Sequence, residues 1–266
     1  MKRIRIAAVA FAIAILASML LARAHPFGDA GLYAGTGSRP PIMEHSTVPP
    51  DVRVILIAKC ADCHSAQTHA PLYGRFAPMT WVMERDVIEA RRALNLSLWN
   101  TYAADRQQIL AAKIVQETKS HEMPLLQYRM IHWNARITDA DLNAFTQWAR
   151  SLAAGDPAST SQLAGEGDPV RGKDVFERRC TGCHTLTQNR EGPQLRGVYG
   201  RTSGELPNFA YSPALKKAHV FWNETTLERW LTDPDAFVRG NDMNFRVAKP
   251  QERRDLISFL RREAGR

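Results

Sequence analysis

CADCH, Cys60–His64, and CTGCH, Cys180–His184, hold all four cysteines of this 266-residue chain. Each is a C-x-x-C pair with a histidine directly behind it. Four cysteines are too few to staple a chain of this length as a disulfide scaffold. A C-x-x-C pair can close as a disulfide, exchange electrons as a dithiol, bind a metal or carry a haem. The neighbouring residues separate these chemistries. A structural zinc site needs two further ligands, typically at short spacing, and none follows either motif. A thioredoxin-like site follows a strand in a βαβ pattern, and the chain has none. The histidine is the residue left to explain.

C-x-x-C-H is the attachment pattern of c-type haem, and the chemistry accounts for the spacing. Cysteines three apart lie one helical turn apart on one face. There they can add to the two vinyl groups along one haem edge as thioethers, while the adjacent histidine turns its imidazole toward the iron. Two copies with no cysteine left over predict two covalently bound haem c groups. One is held by Cys60 and Cys63 with His64 as axial ligand, the other by Cys180 and Cys183 with His184.

The start of the chain bears on where this happens. MKRIRIAAVAFAIAILASMLLARA, residues 1–24, has a short basic start, an apolar run and an A-x-A end at Ala22-Arg23-Ala24. It reads as a signal peptide, with an uncleaved anchor as the alternative, and predicts export to the periplasm, free or held at the inner membrane. It also accounts for part of the formal charge of +8. Without its four basic residues the balance is 31 against 27. That is a mixed solvated surface and argues against a nucleic-acid partner.

The motifs stand 120 residues apart, which predicts one haem domain each. Residues 153–169, AAGDPASTSQLAGEGDP, lack apolar periodicity and read as a connector. The expected organisation is a leader over 1–24, a loose arm over 25–49, a first haem domain over 50–153, a linker over 154–167 and a second haem domain over 168–266. The segments between are helical in pattern. Pro50 opens one helix, and Thr80 and Asp105 precede two more. Thr138 with Asp141 and Thr225 with Glu228 look like capping boxes, and Asp168-Pro169 is an N-cap followed by a first-turn proline. No strand pattern is sustained. The fold class is therefore all-α.

The sixth iron position separates electron transfer from ligand chemistry, because methionine there favours the former and an open position the latter. In the second half the sole methionine is Met243, in the polar loop VRGNDMNF. Residues 166–266 resemble a class I cytochrome c, through GKDVFERRCTGCHTL, GPQLRGVYGRTSG, NFAYSPAL, TLERWLTDPDAF, GNDM and DLISFLRR. The resemblance implies that His184 and Met243 are the axial ligands and that the Pro193 carbonyl accepts the His184 ring N–H. It implies that Arg201, Tyr211 and Trp222 hydrogen-bond the propionates. It also implies that Gly172 and Phe176 meet Leu256 and Phe259 where the first and last helices cross. Trp230 stands where that family often carries tyrosine, near the methionine sulfur.

The first half carries KCADCHSAQTHAPLYGRFAPMTW, RRALNLSLW and HEMPLLQYRMIHWNARITDADLNAFTQWA. Over about Pro49–Ala153 it resembles the small haem-binding domain family of bacterial exported proteins. In that pattern the methionine of Met-Pro is the distal ligand, here Met123, and Pro124 stiffens the backbone behind it. Met79, in a loop beside proline, His121 and His132 are the rivals. Met83 and Met130 read as core residues. His45, His69 and His219 fit no pattern and read as surface.

No phosphate loop, hydrolase elbow or spare cysteine points to other chemistry, and no catalytic residue is assigned. The reading is a dihaem cytochrome c. It would pass single electrons from a dehydrogenase or quinol-oxidising complex to a terminal oxidase or reductase, as a shuttle or as a subunit of an exported oxidoreductase. Membrane contact is expected only if the leader is retained. The alternative is a peroxidase-like enzyme or a haem sensor in which the first haem is open, with His121 and Glu122 beside it.

Overall fold

The computed structural model describes residues 2–33, 42–44, 46–153 and 165–265. All elements among them are helical apart from one isolated bridge, Thr202 to Phe221. The chain divides into two compact units, Met1–Thr101 and Tyr102–Arg266. The division falls inside the stretch read from the sequence as the first haem domain. Of the expected linker, residues 154–164 lie outside the described residues.

The first unit holds α1 (Lys2–Leu21), α2 (Pro50–Lys59), α3 (Ala61–His64) and α4 (Met79–Ala93), with short 3-10 turns at Leu72–Arg75 and Leu96–Thr101. Helix α1 is long and apolar enough to cross a membrane, a test that signal sequences also pass. Near its end Ser18 Oγ donates to the Ala77 carbonyl at 2.7 Å, and the Ala77 N–H donates back to the Ser18 carbonyl at 3.2 Å. In α2 the proline sits in the first turn, where its missing N–H costs nothing, and Val52 and Leu56 point inward. In α4 the buried positions are Thr80, Glu84 and Val87, a stripe at helical spacing. Met79 is the first residue of α4 and not part of a loop.

The arm after α1 is tied down where it is described. His25 Nδ1 lies 2.6 Å from Oε1 of Glu84, which is fully buried. Tyr33 donates to the Gly74 carbonyl at 3.2 Å, and Arg91 reaches the Ala30 carbonyl. A buried carboxylate without partners is costly, so Glu84 and the arm stabilise one another.

The second unit begins with α5 (Ala104–Lys119), α6 (Leu126–Ile131) and α7 (Asp139–Ala153). The Thr138–Asp141 capping box forms in both directions, with the Thr138 N–H on Asp141 Oδ2 at 2.7 Å and the Asp141 N–H on Thr138 Oγ1 at 3.2 Å. Helix α5 buries residues around most of its circumference, from Gln108 to Ala112 and again at Ile114, Val115 and Thr118, because it packs on α7 and also on α8 (Pro169–Arg179). Met130, read from the sequence as core, is 76% exposed. Its helix is one and a half turns long and buries no residue.

The rest of the unit comprises α8 (Pro169–Arg179), α9 (Pro213–Ala218), α10 (Glu224–Thr232), α11 (Pro234–Phe237) and α12 (Pro250–Ala264). Helices α8 and α12 cross at Gly172. A Cβ there would run into the Asp255 carbonyl and Phe259, so only glycine permits the approach. Val175, Phe176, Leu256, Phe259 and Leu260 fill the crossing, with the Phe176 and Phe259 rings 5.5 Å apart. At the outer end Arg171 grips the Asp255 carboxylate with two hydrogen bonds of 2.9 Å. The start of α10 corrects the sequence reading. Its capping box is Asn223 with Thr226, at 3.0 and 2.9 Å, and not Thr225 with Glu228. Asparagine is a strong N-cap and captures the helix start two residues earlier. Glu228 instead accepts from Arg253 Nε at 2.7 Å.

Candidate haem sites

Both C-x-x-C-H motifs adopt the same backbone turn. The His64 N–H donates to the Cys60 carbonyl at 2.9 Å, and the Cys63 N–H to the same oxygen at 3.3 Å. In the second motif the corresponding distances from His184 and Cys183 to the Cys180 carbonyl are 2.8 and 3.1 Å. Each cysteine pair therefore sits on one face of a single turn, with the histidine closing it. All four cysteines are free thiols and partly buried. Burial pushes Cys180 up to about 12 and Cys63 and Cys183 up to about 11, so each of these thiols stays protonated in the folded chain.

In each motif the histidine ring is oriented by a backbone carbonyl. His184 Nδ1 is 2.7 Å from the Pro193 oxygen, and His64 Nδ1 is 3.1 Å from the Leu94 oxygen. A carbonyl can only accept, so Nδ1 carries the proton and Nε2 keeps the lone pair for a metal. Burial lowers the pKa of both rings and outweighs the opposing pull of the carbonyls. Both imidazoles are thus held neutral, the form that can ligate iron. The Pro193 partner was expected from the sequence. The Leu94 partner was not, because it comes from the end of α4, 30 residues away. The segment after it is shaped by the Asn95 side chain accepting from the Ser97 N–H at 3.0 Å, and by Ser97 Oγ accepting from the Ala66 N–H at 3.0 Å.

The second site is a cavity of about 710 Å³ in the second unit. That size lies within the range of about 300–1,000 Å³ usual for bound cofactors. Cys180, Cys183, His184, Pro193, Arg201, Tyr211, Trp222, Trp230 and Met243 all line it. The structure therefore brings together every residue the sequence assigned there. Gly192 lies flat against the His184 ring, where any Cβ would collide with it. Trp230 Nε1 donates to Met243 Sδ at 3.1 Å, and the Met243 N–H donates to Asn241 Oδ1 at 2.7 Å. The sulfur and its backbone are both held. Arg201 bonds the Gln194 carbonyl at 3.2 Å, and burial lowers its pKa and raises that of Tyr211. A neutral ring nitrogen, a fixed thioether, two thiols on one turn and a polar pair at the wall form a donor set that fits a covalent haem. Among the described residues, no group of three or more His, Cys, Asp or Glu side chains is gathered for a bare metal ion.

His64 and Met123 fall in different compact units. Met123 follows α5, and its N–H donates to the Glu117 carbonyl at 3.0 Å. Of its rivals, Met79 is 41% exposed, His121 is exposed with a left-handed backbone, and His132 stacks on Tyr128 at 4.2 Å.

Comparison with known proteins divides the chain at the same motifs. A family model described as "Haem-binding domain" matches residues 31–151, and one described as "Cytochrome c" matches residues 169–263. The cytochrome c of Chlamydomonas reinhardtii is 42% identical over 107 residues, which is 39% of this chain and 96% of that protein. The cytochrome c of Ulva intestinalis is 38% identical over 107 residues, with the same coverage. Among solved structures, cytochrome cH from Methylobacterium extorquens is 37% identical, covering 36% of this chain and 99% of that one, with a TM-score of 0.35.

Proposed function

We propose, for a chain that belongs to the cytochrome c family, that it carries two covalent haem c groups and passes single electrons between them and outside redox proteins. Haem-based electron transfer follows from the family, and the chain binds haem and iron as its members do. The finer reading is carried by one observation. The same turn, with the same Nδ1-to-carbonyl bond, occurs at both motifs in otherwise different surroundings. When bound, each haem supplies the one-electron iron couple. The chain's own residues tether it, orient one axial imidazole, and at the second site fix the thioether opposite.

At the second site His184 and Met243 would hold the iron, and Arg201, Tyr211 and Trp222 would hold the propionates. At the first, His64 is one ligand and Met123 the other. Export to the periplasm is supported by α1 and the A-x-A end behind it. The donor is a dehydrogenase or quinol-oxidising complex, and the acceptor a terminal oxidase or reductase.

The test is the mass of the purified chain with its haem spectrum. Cys60→Ser with Cys63→Ser should leave one haem attached, and Cys180→Ser with Cys183→Ser should leave the other. A wild-type chain carrying one haem, or either double variant retaining both, refutes the dihaem reading.

A further inference from the structure

Helix α5 belongs to the stretch matched by the haem-binding domain model, yet it packs on the second haem site. Ile109, Ala112, Gln116, Glu117 and Ser120 line the same cavity as Cys180, Cys183 and Met243. Ile109 is 4% exposed, and its Cγ2 would lie only 2.7 Å from a Cβ placed on Gly182, a middle residue of the CTGCH motif. Thioethers to Cys180 and Cys183 would put the vinyl edge of a haem at this turn. Helix α5 therefore lies over that edge.

Polar ties fasten it on both sides of the site. Lys113 Nζ is 2.8 Å from Glu191 Oε1, in the loop that carries the Pro193 carbonyl. Lys119 Nζ is 2.6 Å from Asp242 Oδ1, the residue before Met243. Gln108 donates to the Arg246 carbonyl at 2.8 Å. One helix thus bridges the loop that orients His184 and the loop that carries Met243. An outside protein approaching the thioether edge would have to displace a buried isoleucine, two ion pairs and a buried amide. The C-terminal end of α5 leads directly to Met123, whose N–H is bonded to the carbonyl of Glu117, a residue lining the cavity.

We propose that α5 is a built-in docking partner for the second haem. It closes the thioether edge to outside redox proteins, so that electrons crossing this edge pass through the chain itself. The inference rests on the dihaem reading above, and its test keeps the two apart.

The full haem-loaded chain is compared with Gly182→Ala, which adds a wedge beneath Ile109 and changes no charge. Haem count by mass comes first. Amide hydrogen exchange is then followed over residues 104–119. With α5 seated on Gly182, the wedge should speed exchange there at least tenfold, and Ile109→Ala in the same chain should restore it. A second variant, Lys113→Gln with Lys119→Gln, should loosen the helix and speed oxidation of the second haem by a soluble blue-copper protein at least tenfold. The small oxidant hexacyanoferrate(III) should show little change. Unchanged exchange and unchanged rates in a chain with two haems overturn the docking inference alone. A chain with a single haem overturns the dihaem reading, and this inference with it.

Discussion

Trp230→Phe isolates what one hydrogen bond does to the second site. The indole N–H donates to Met243 Sδ at 3.1 Å, inside a cluster where Trp222 packs edge-on at 5.3 Å. Phenylalanine keeps most of the apolar contact and removes the donor. A donor on the sulfur withdraws electron density from the thioether, which weakens its support of ferric iron and favours the ferrous state. Removing it should therefore lower the reduction potential. Sulfur is a weak acceptor, so the bond is worth about 0.5–1 kcal/mol, at the lower end for protein hydrogen bonds. If all of that distinguishes the two oxidation states, the shift is about 20–40 mV for one electron, since 59 mV corresponds to a factor of ten. The assay is a spectroelectrochemical titration of the full chain, with the thioether-to-iron band as evidence that Met243 still ligates. Trp230→Tyr, which restores a donor, should recover part of the shift. A potential that rises or stays fixed in Trp230→Phe, with the band intact, refutes the reasoning.

Met243→Ala should leave the second haem attached but open to carbon monoxide in the reduced state. A variant that stays six-coordinate through a thioether would show that another methionine ligates. Gly172→Ala drives a methyl into the Asp255 carbonyl and Phe259, so it should cost about 1–3 kcal/mol and lower Tm by at least ~2 °C. An unchanged Tm would mean that α8 and α12 do not cross there in solution. Burial alone would raise the Asp255 carboxyl, but hydrogen bonds from Arg171, the Asp168 N–H and Gln251 outweigh it and hold the pKa below its ordinary 3.8. A depressed carboxylate contributes stability that is present above the unfolded value and lost as pH falls through the folded one. Asp255→Asn should therefore be less stable at neutral pH and should flatten the fall in Tm below about pH 4. Parallel pH curves for the two proteins would exclude this role.

The helical class and the second site were legible because their signals are local or fixed in order. Asp168-Pro169 announces α8, and Thr138 with Asp141 announces α7. The Cys180, His184, Pro193 and Met243 spacing transfers through resemblance, and the cavity gathers all four. What sequence could not supply was competition between caps and contact between distant segments. Asn223 outranks Thr225 as a cap, which moved the start of α10. Met130 looked like core because its neighbours are apolar, but a short helix with no packed face leaves it exposed. Helix α5 has an apolar pattern that a periodic reading assigns to one interface. Its burial around most of its circumference, which signals two, becomes visible only once both partners are in place.

The Leu94 carbonyl shows how a general rule stands in for a missing motif. The last four carbonyls of a helix lack partners within it and must find them elsewhere. Leu94 caps the C-terminal end of α4, and its oxygen meets His64 Nδ1. The helix end needs a donor, the imidazole needs an acceptor, and the negative end of the helix dipole strengthens the match. At the second site the Pro193 carbonyl does the same work, and Gly192, with no side chain, lies against the ring. Both partners are backbone oxygens, which every residue possesses and the C-x-x-C-H motif itself does not mark: Pro193 came through the resemblance of the second half, Leu94 only through the structure. A motif search therefore finds the histidine and misses what orients it. The question that finds the second partner is where each orphan carbonyl at a helix end goes, asked of every helix within reach of a C-x-x-C-H turn.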